Sequence, residues 1–208
     1  EEYKKIVGKD EYESLFPNME EIELDPLLYG QPNADLYIRK SYRVGWCYLV
    51  KGKEGQVYKN GTTADVNSLY PSVMSSESGN RYPMGKPVFW KGNFIPDKAL
   101  GYNKYYFIRI KTRFYLKDGK LPFIQIKNSF LYRGNECLET SDIYSQVTEE
   151  YSTEYIDKNG NVIQAIPILT LTMVDFELLK EHYELVDFEI LDGCWFFSEI
   201  GLFDAYIE

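Results

Sequence analysis

The sequence has few of the residues on which zinc, redox and membrane proteins depend. It contains one histidine, His182, and an odd number of cysteines, Cys47, Cys137 and Cys194. No two cysteines share a zinc-binding or redox spacing, so we expect reduced, buried thiols rather than a disulfide framework. No apolar run approaches the ~20 residues of a membrane span, and we expect no membrane partner.

Positive charge is also scarce. The chain has 23 lysines and arginines against 32 acidic residues, a net charge of −9, whereas nucleic-acid-binding proteins usually carry a basic excess. Three stretches, 39–43, 104–120 and 127–133, are nevertheless locally basic. Because exposed charges more than about 8 Å apart are largely screened at physiological salt, such a stretch can still bind phosphate.

Hydrophobic residues are abundant enough for a folded, sheet-rich protein. They make up 44% of the chain, and the aromatic share is 16%, which excludes disorder. Periodicity and turn residues predict helices over 2–15, 34–42, 69–76, 173–183 and 201–208. They predict strands over 46–50, 56–59, 62–66, 106–114, 123–127, 130–132, 169–171, 185–191 and 194–198, with hairpins over 87–95 and 151–166. Residues 106–114 alternate with a period of two, Asn159-Gly160 and Asp192-Gly193 are turn signals, and Thr172 with Asp175 is a capping pattern that opens the helix from residue 173.

The stretch from Asp65 to Met74 carries the strongest chemical signal. Asp65 ends a predicted strand, where its carboxylate can present a hard oxygen ligand to a divalent cation. The turn after it offers backbone N–H groups and the Ser68 hydroxyl to a polyphosphate, and Tyr70 lies two residues further on. A single aspartate after a strand is usually structural, but the fixed offsets of the serine, leucine, tyrosine and proline that follow make chance a poor explanation.

The order Asp-x-x-Ser-Leu-Tyr-Pro-Ser resembles motif A of family B DNA polymerases, and the flanking sequence is similar to the protein-primed branch of phages and linear plasmids. The supporting segments are 82–87, 121–127, 133–136 and 171–183. The resemblance implies that Asp65 and the Val66 carbonyl are ligands of Mg²⁺, for which Mn²⁺ can substitute. It also implies a steric-gate role for Tyr70 and a nucleotide-binding turn formed by Val66, Asn67, Ser68, Leu69 and Tyr70.

A second element, Tyr42-Arg43-Val44-Gly45-Trp46, is similar to the Tyr-x-Gly-Gly element that holds template strand in this family. Val44 stands where the family usually has its first glycine. The resemblance implies DNA-binding roles for Tyr42, Arg43, Gly45, Lys127 and Arg133. Further candidate phosphate contacts are Lys104, Arg109, Lys111 and Arg113.

The same resemblance implies an α+β fold: a partial polymerase palm of mostly antiparallel sheet with helices, plus an inserted α+β lobe. The implied divisions are a truncated linker after a missing exonuclease (1–33), a first palm segment (34–78), an insertion contacting terminal protein and DNA (79–169), and a second palm segment leading to missing fingers (170–208). We expect an excised piece that is inactive alone, because the Asp-Thr-Asp hairpin with the other metal-binding carboxylates is absent. The implied partners are template and primer DNA, deoxynucleoside triphosphates and a terminal protein, in the cytoplasm of the host cell.

Two other interpretations stay open. An acidic, tyrosine-rich domain can serve as a protein-binding module in which the segment around Asp65 is only a structural junction. A hydrolase with paired carboxylates is the other alternative, although no acidic pair stands at a fixed spacing around a cleft signal.

Overall fold

The computed structural model describes residues 1–43 and 45–207. Its helices are α1 (Glu2–Val7), α2 (Lys9–Leu15), α3 (Pro26–Tyr29), α4 (Ala34–Arg39), α5 (Leu69–Met74), α6 (Met173–His182) and α7 (Asp204–Ile207). Its strands are β1 (Arg81–Lys91), β2 (Lys104–Leu116), β3 (Ile143–Ser145), β4 (Glu150–Ser152), β5 (Glu154–Ile156), β6 (Val162–Gln164), β7 (Ile168–Thr172) and β8 (Tyr183–Ile200).

The centre of the fold is a four-stranded sheet in the order β1-β8-β2-β7, and its neighbouring strands all pair antiparallel. Two small hairpins, β3-β4 and β5-β6, stand beside it. This architecture confirms the predicted α+β class with mostly antiparallel strands. The predicted alternation along β2 is also confirmed, because Ile108, Ile110 and Phe114 are fully buried while Arg109 and Arg113 between them are partly exposed.

The predicted break in the last strand is wrong. Asp192-Gly193 does not form a turn but lies inside β8, which runs for 18 residues. Gly193 pairs with Trp90 on one side and Ile108 on the other, and a Cβ built on it would clash with the Trp90 ring. The glycine is therefore needed for close packing inside a strand.

Several other predicted strands and one predicted hairpin do not form. In the described residues β1 pairs with β8 rather than folding back on Phe94-Ile95. The stretches 46–50, 56–59 and 62–66 contain no assigned strand, and 123–132 contributes only an isolated bridge between Gln125 and Cys137. A β-forming sequence becomes a strand only where a partner edge accepts its hydrogen bonds.

The helix predictions are confirmed with shorter bounds. The capping pattern before α6 is present, since the Thr172 hydroxyl accepts the Asp175 N–H at 3.1 Å. The predicted N-terminal helix is divided into α1 and α2 at Gly8, whose φ of +90° falls outside the helical region. α4 ends at Arg39 rather than at residue 42.

The sheet is packed on both faces. On one face the helix α6 contributes Phe176 and Leu179 to a core whose other members come mainly from the sheet. On the opposite face Tyr37 of α4 packs with Phe107, Cys194 and Phe196. The sheet thus fixes α4, and with it the chain that follows Arg39, against its second face.

The predicted divisions do not correspond to separate sheets. β1 and β2 come from the predicted insertion and β8 from the predicted second palm segment, and all three pair in one sheet. The division itself stays a prediction. No helix in residues 1–43 or 45–207 is both long and apolar enough to span a bilayer.

Candidate functional site

Asp65 lies on an exposed, extended stretch of chain. Residues 61–70 are all exposed, and within them 61–66 contain no assigned helix or strand. The predicted strand over 62–66 is therefore wrong, because no described residue supplies a pairing partner. The Asp65 carboxylate is nevertheless exposed to solvent, and the Val66 side chain next to it is 61% exposed.

The turn after Asp65 has an unusual backbone. Ser68, the residue before α5, adopts a left-handed conformation with φ 49° and ψ 46°. Its carbonyl oxygen accepts the Ser72 N–H at 2.9 Å, whereas its hydroxyl makes no helix-capping hydrogen bond among the described residues. A left-handed backbone is uncommon for a non-glycine residue and marks Ser68 as a turn position. Tyr70, in the first turn of α5, is 77% exposed.

Asp65 and Val66 offer two oxygen donors of the kind that bind divalent cations. A carboxylate oxygen at Asp65 and a peptide carbonyl at Val66 are the hard donors that Mg²⁺ prefers. Across the described ranges, however, no group of three or more His, Cys, Asp or Glu side chains could hold a metal ion. The Asp65 carboxylate and the Val66 carbonyl nevertheless suit Mg²⁺ by the chemistry of their oxygen donors.

An open cleft of about 550 Å³ lies between the chain after α4 and the loop before Asn128. The described residues that line it include four cations and no carboxylate, although the chain as a whole is acidic. Two tyrosines and two glutamines are also in its wall. The lining side chains that matter here are Tyr29, Gln31, Lys40, Tyr42, Arg43, Arg109, Gln125 and Lys127.

Three of the five residues predicted to contact DNA line this cleft: Tyr42, Arg43 and Lys127. The Tyr42 side chain is 75% exposed, and Lys127 is exposed on the facing loop. Tyr42 and Lys127 are far apart in the sequence, and no local signal indicates that they line the same cleft. A cleft with aromatic and cationic walls is the kind of surface that binds single-stranded nucleic acid.

Arg43 is held in the wall rather than free in solvent. Its Nη2 donates to the Thr170 carbonyl at 3.1 Å, and in the portion of the chain that the structure describes its Nε has no hydrogen-bond partner. Burial lowers the pKa of the guanidinium, and the nearby Asp175 carboxylate partly opposes that shift. Arginine stays charged even so, and Arg43 is therefore a fixed positive charge beside the cleft.

The other two predicted DNA contacts lie outside the lining of the cleft. Gly45 has open space where a side chain would be. Val44, which replaces the first family glycine, lies outside the described residues. Arg133 is exposed and stacks its guanidinium over the Tyr144 ring at 4.6 Å.

A buried ion-pair network lies beneath the cleft, and the sequence had not indicated it. The fully buried Asp192 carboxylate accepts hydrogen bonds from Arg109 Nη2 at 2.6 Å, Tyr37 at 2.7 Å and Lys91 at 3.1 Å. Arg109 and Lys91 also donate to the Leu28 carbonyl. The network ties α3 and α4 to the sheet and pairs Arg109 with a carboxylate inside the fold, whereas Lys40, Arg43 and Lys127 line the cleft without belonging to this network.

Local sequence signals could not have revealed this network. Asp192 stands before a glycine, and that dipeptide is a strong turn signal. Its three partners come from α4, β1 and β2, which are brought to it only by the pairing of the sheet.

The comparisons with known proteins agree over the whole chain. The family model described as DNA polymerase type B, organellar and viral, matches residues 1–208. The chain is 32% identical over 206 residues to the DNA polymerase of Bacillus phage Nf, covering 99% of this chain and 29% of that protein. It is 30% identical over 206 residues to the DNA polymerase of Bacillus phage phi29, with the same coverage.

The fold matches a solved structure of the same kind. The phi29 DNA polymerase complexed with primer-template DNA and incoming nucleotide substrates aligns with a TM-score of 0.71 and 30% identity, over 99% of this chain and 29% of that one. The chain therefore spans under a third of the relatives it matches. From its sequence and its fold alike, the chain belongs to the organellar and viral type B DNA polymerase family.

Proposed function

We propose that this chain belongs to a protein-primed DNA polymerase and supplies its first metal-binding carboxylate, its nucleotide-binding turn and some of its DNA-binding surface. The observation that carries the proposal is the match of the entire chain to a polymerase solved with primer-template DNA and nucleotides. The exposed Asp65 supports it, because a catalytic carboxylate must be open to its ligands.

The turn gives each residue a defined task. Asp65 and the Val66 carbonyl hold Mg²⁺ together with carboxylates from elsewhere in the polymerase, and Asn67, Ser68 and Leu69 contact the triphosphate. When bound, the metal ions stabilise the attacking and leaving oxygens of an in-line displacement. The uncapped Ser68 hydroxyl is available to donate to a phosphate oxygen. Tyr70 packs below the deoxyribose, where a 2′-hydroxyl would clash.

The cleft binds the template strand. Lys40, Arg43 and Lys127 neutralise backbone phosphates, and Tyr42 stacks on an unpaired base. Gly45 lets the strand approach the backbone closely, since no side chain stands there. Arg133 adds a phosphate contact outside the cleft.

The remaining divisions follow the family. We propose that 1–33 is a linker after an exonuclease, 34–78 and 170–208 are palm, and 79–169 contacts DNA and a terminal protein. The reaction is transfer of a deoxynucleotide to a hydroxyl of the priming protein and then to a DNA 3′ end, in the host-cell cytoplasm. The 208-residue chain alone is inactive, because it holds only one of the catalytic carboxylates.

The test is primer extension by a full-length polymerase that contains this chain. Asp65→Asn should lower the extension rate at least about 100-fold, because a lost metal ligand removes several kcal/mol of transition-state stabilisation. The matched control is Asp118→Asn, an exposed carboxylate in a turn before Gly119, which should extend at the wild-type rate. Equal rates for both variants would rule out the role assigned to Asp65.

The protein-binding alternative makes a different prediction for the isolated chain. If Asp65 is a metal ligand, Mn²⁺ should broaden the backbone amide signals of residues near Asp65 in nuclear magnetic resonance spectra, and Asp65→Asn should abolish that broadening. Broadening that is unchanged by the substitution favours a binding module in which the turn is only structural.

A further inference from the structure

Two cysteines that are 90 positions apart in sequence meet in the structure. The thiol of Cys137 donates to the carbonyl oxygen of Cys47, with Sγ and O 3.4 Å apart. The Cys47 carbonyl oxygen is connected to its Cα through a C=O bond of about 1.2 Å and a Cα–C bond of about 1.5 Å, so Cys137 Sγ lies within about 6 Å of that Cα. The Cys137 sulfur therefore lies beside the backbone of Cys47, and a disulfide requires the Cys47 side chain to turn towards it with the two Cα atoms about 4.4–6.8 Å apart.

Neighbouring contacts hold the two cysteines in this position. Trp46 Nε1 donates to the Pro122 carbonyl at 2.9 Å, and Gln125 Nε2 donates to the Cys47 carbonyl at 3.4 Å. Gln125 itself forms a β-bridge with Cys137. The chain around Cys47 is therefore docked on the loop that carries Cys137 through several contacts, which makes a chance approach of two loops an inadequate explanation.

The three cysteines differ in accessibility. Cys47 is exposed, Cys137 is half-buried and Cys194 is fully buried between strands. The sequence-based expectation of buried thiols is thus wrong for Cys47. Burial raises the pKa of the Cys194 thiol far above its usual value, and this makes Cys194 unreactive. Residues 45–50 contain no assigned helix or strand, so the backbone at Cys47 can adjust without loss of regular structure.

We propose that Cys47 and Cys137 form an intramolecular disulfide when the folded protein meets a small disulfide oxidant such as oxidised glutathione. One cysteine thiolate attacks the glutathione disulfide, which breaks its S–S bond and releases one reduced glutathione. The thiolate of the other cysteine then attacks the mixed disulfide and releases the second. Two protein thiols are oxidised, one glutathione disulfide is reduced, and the two thiol protons end on the released glutathiones.

The bond would join the two sides of the cleft. Tyr42 and Arg43 precede Cys47 on one wall, and Lys127 precedes Cys137 on the other. A disulfide between Cys47 and Cys137 would hold these two walls at one spacing. Burial raises the pKa of the Cys137 thiol and so lowers its thiolate fraction near neutral pH. The thiolate fraction grows as the solution becomes alkaline, and the bond should form faster there. The inference stands whether or not the chain belongs to an active polymerase.

The experiment exposes the folded 208-residue chain to oxidised glutathione, traps remaining thiols with an alkylating agent, and maps peptides by mass spectrometry. The expected result is a linked peptide pair containing Cys47 and Cys137, with Cys194 alkylated only after denaturation. Cys47→Ala, at an exposed position, should abolish the link and leave Cys137 as a thiol or a glutathione adduct. The proposal is overturned if folded wild-type protein keeps both thiols, if glutathione remains on Cys47 beside a free Cys137, or if the link joins two molecules.

Discussion

The central sheet and the extended segment (residues 45–68) contain similar β-forming residues but differ in whether those residues have partners. In β2, Ile108, Ile110 and Phe114 are fully buried between neighbouring strands. In the extended segment, Leu49 is 62% and Val57 92% exposed. The difference shows that an alternating or apolar sequence is not sufficient for a strand, and that a hydrogen-bonding edge beside it decides whether the strand forms.

The extended segment exposes apolar residues, and the chain covers only part of the length of the relatives it matches. The chain spans 29% of the phage polymerases it matches. Exposed apolar surface of this kind commonly marks an interface.

The largest effect should come from breaking the buried network that ties the sheet to the helices. Asp192→Asn leaves the largely buried Arg109, whose side chain is 15% exposed, and the exposed Lys91 without the fully buried counterion, and should lower the free energy of unfolding by about 3–5 kcal/mol. The matched control is Asp187→Asn in the same strand, because Asp187 is 63% exposed and lies 3.8 Å from Arg113. Its cost should be about 0–1 kcal/mol. Urea denaturation measures both, and equal losses would contradict a special role for the network.

A smaller loss of stability should appear at alkaline pH. Burial raises the pKa of Tyr183 from 10.0 to about 12, so its neutral form is favoured in the folded state. That contribution is complete below pH 10, the pKa in the unfolded chain, and is lost as the pH rises through 12. It amounts to about 3 kcal/mol.

The measurement is the unfolding free energy as a function of pH, for the wild type and for Tyr183→Phe. The variant should be less stable at neutral pH, because the hydroxyl donates to the Leu138 carbonyl and accepts from the Phe123 and Ile124 N–H groups. Above pH 10 its stability should fall less steeply than that of the wild type. Identical alkaline slopes would show that the burial of Tyr183 does not shift its titration.

The smallest effects should separate the two regions most directly. Val57→Ser should change the unfolding free energy of the isolated chain by no more than about 0.5 kcal/mol, because that side chain is already in solvent. The comparison is Ile110→Val, which removes a single methylene from the buried face of β2 and should cost about 0.5–1.5 kcal/mol. In a full-length polymerase the Val57 substitution should become costly if the segment is covered there.

Much of the architecture could be predicted where the signal is local. The alternation along β2, the threonine cap before α6 and the Asn159-Gly160 turn between β5 and β6 each depend on residues close in sequence, and all three are present. Predictions failed where the outcome depends on a distant partner, as for the strands expected over 62–66 and 123–127. The sequence predicts two strands where the structure has the single strand β8. The turn signal of Asp192-Gly193 is local, whereas the packing of Trp90 against Gly193 depends on a distant residue.

The sequence alone determined the family, through the spaced residues from Asp65 to Ser72, because a motif of side chains at fixed offsets can be recognised without knowing the fold. Through the resemblance that this motif carries, it also implied the α+β class. Tertiary structure decided the rest. The meeting of Tyr42 with Lys127 across one cleft, of Asp192 with its three partners, and of Cys47 with Cys137 depends on contacts between residues far apart in the chain. Such contacts are fixed by packing and strand register, which no local pattern records.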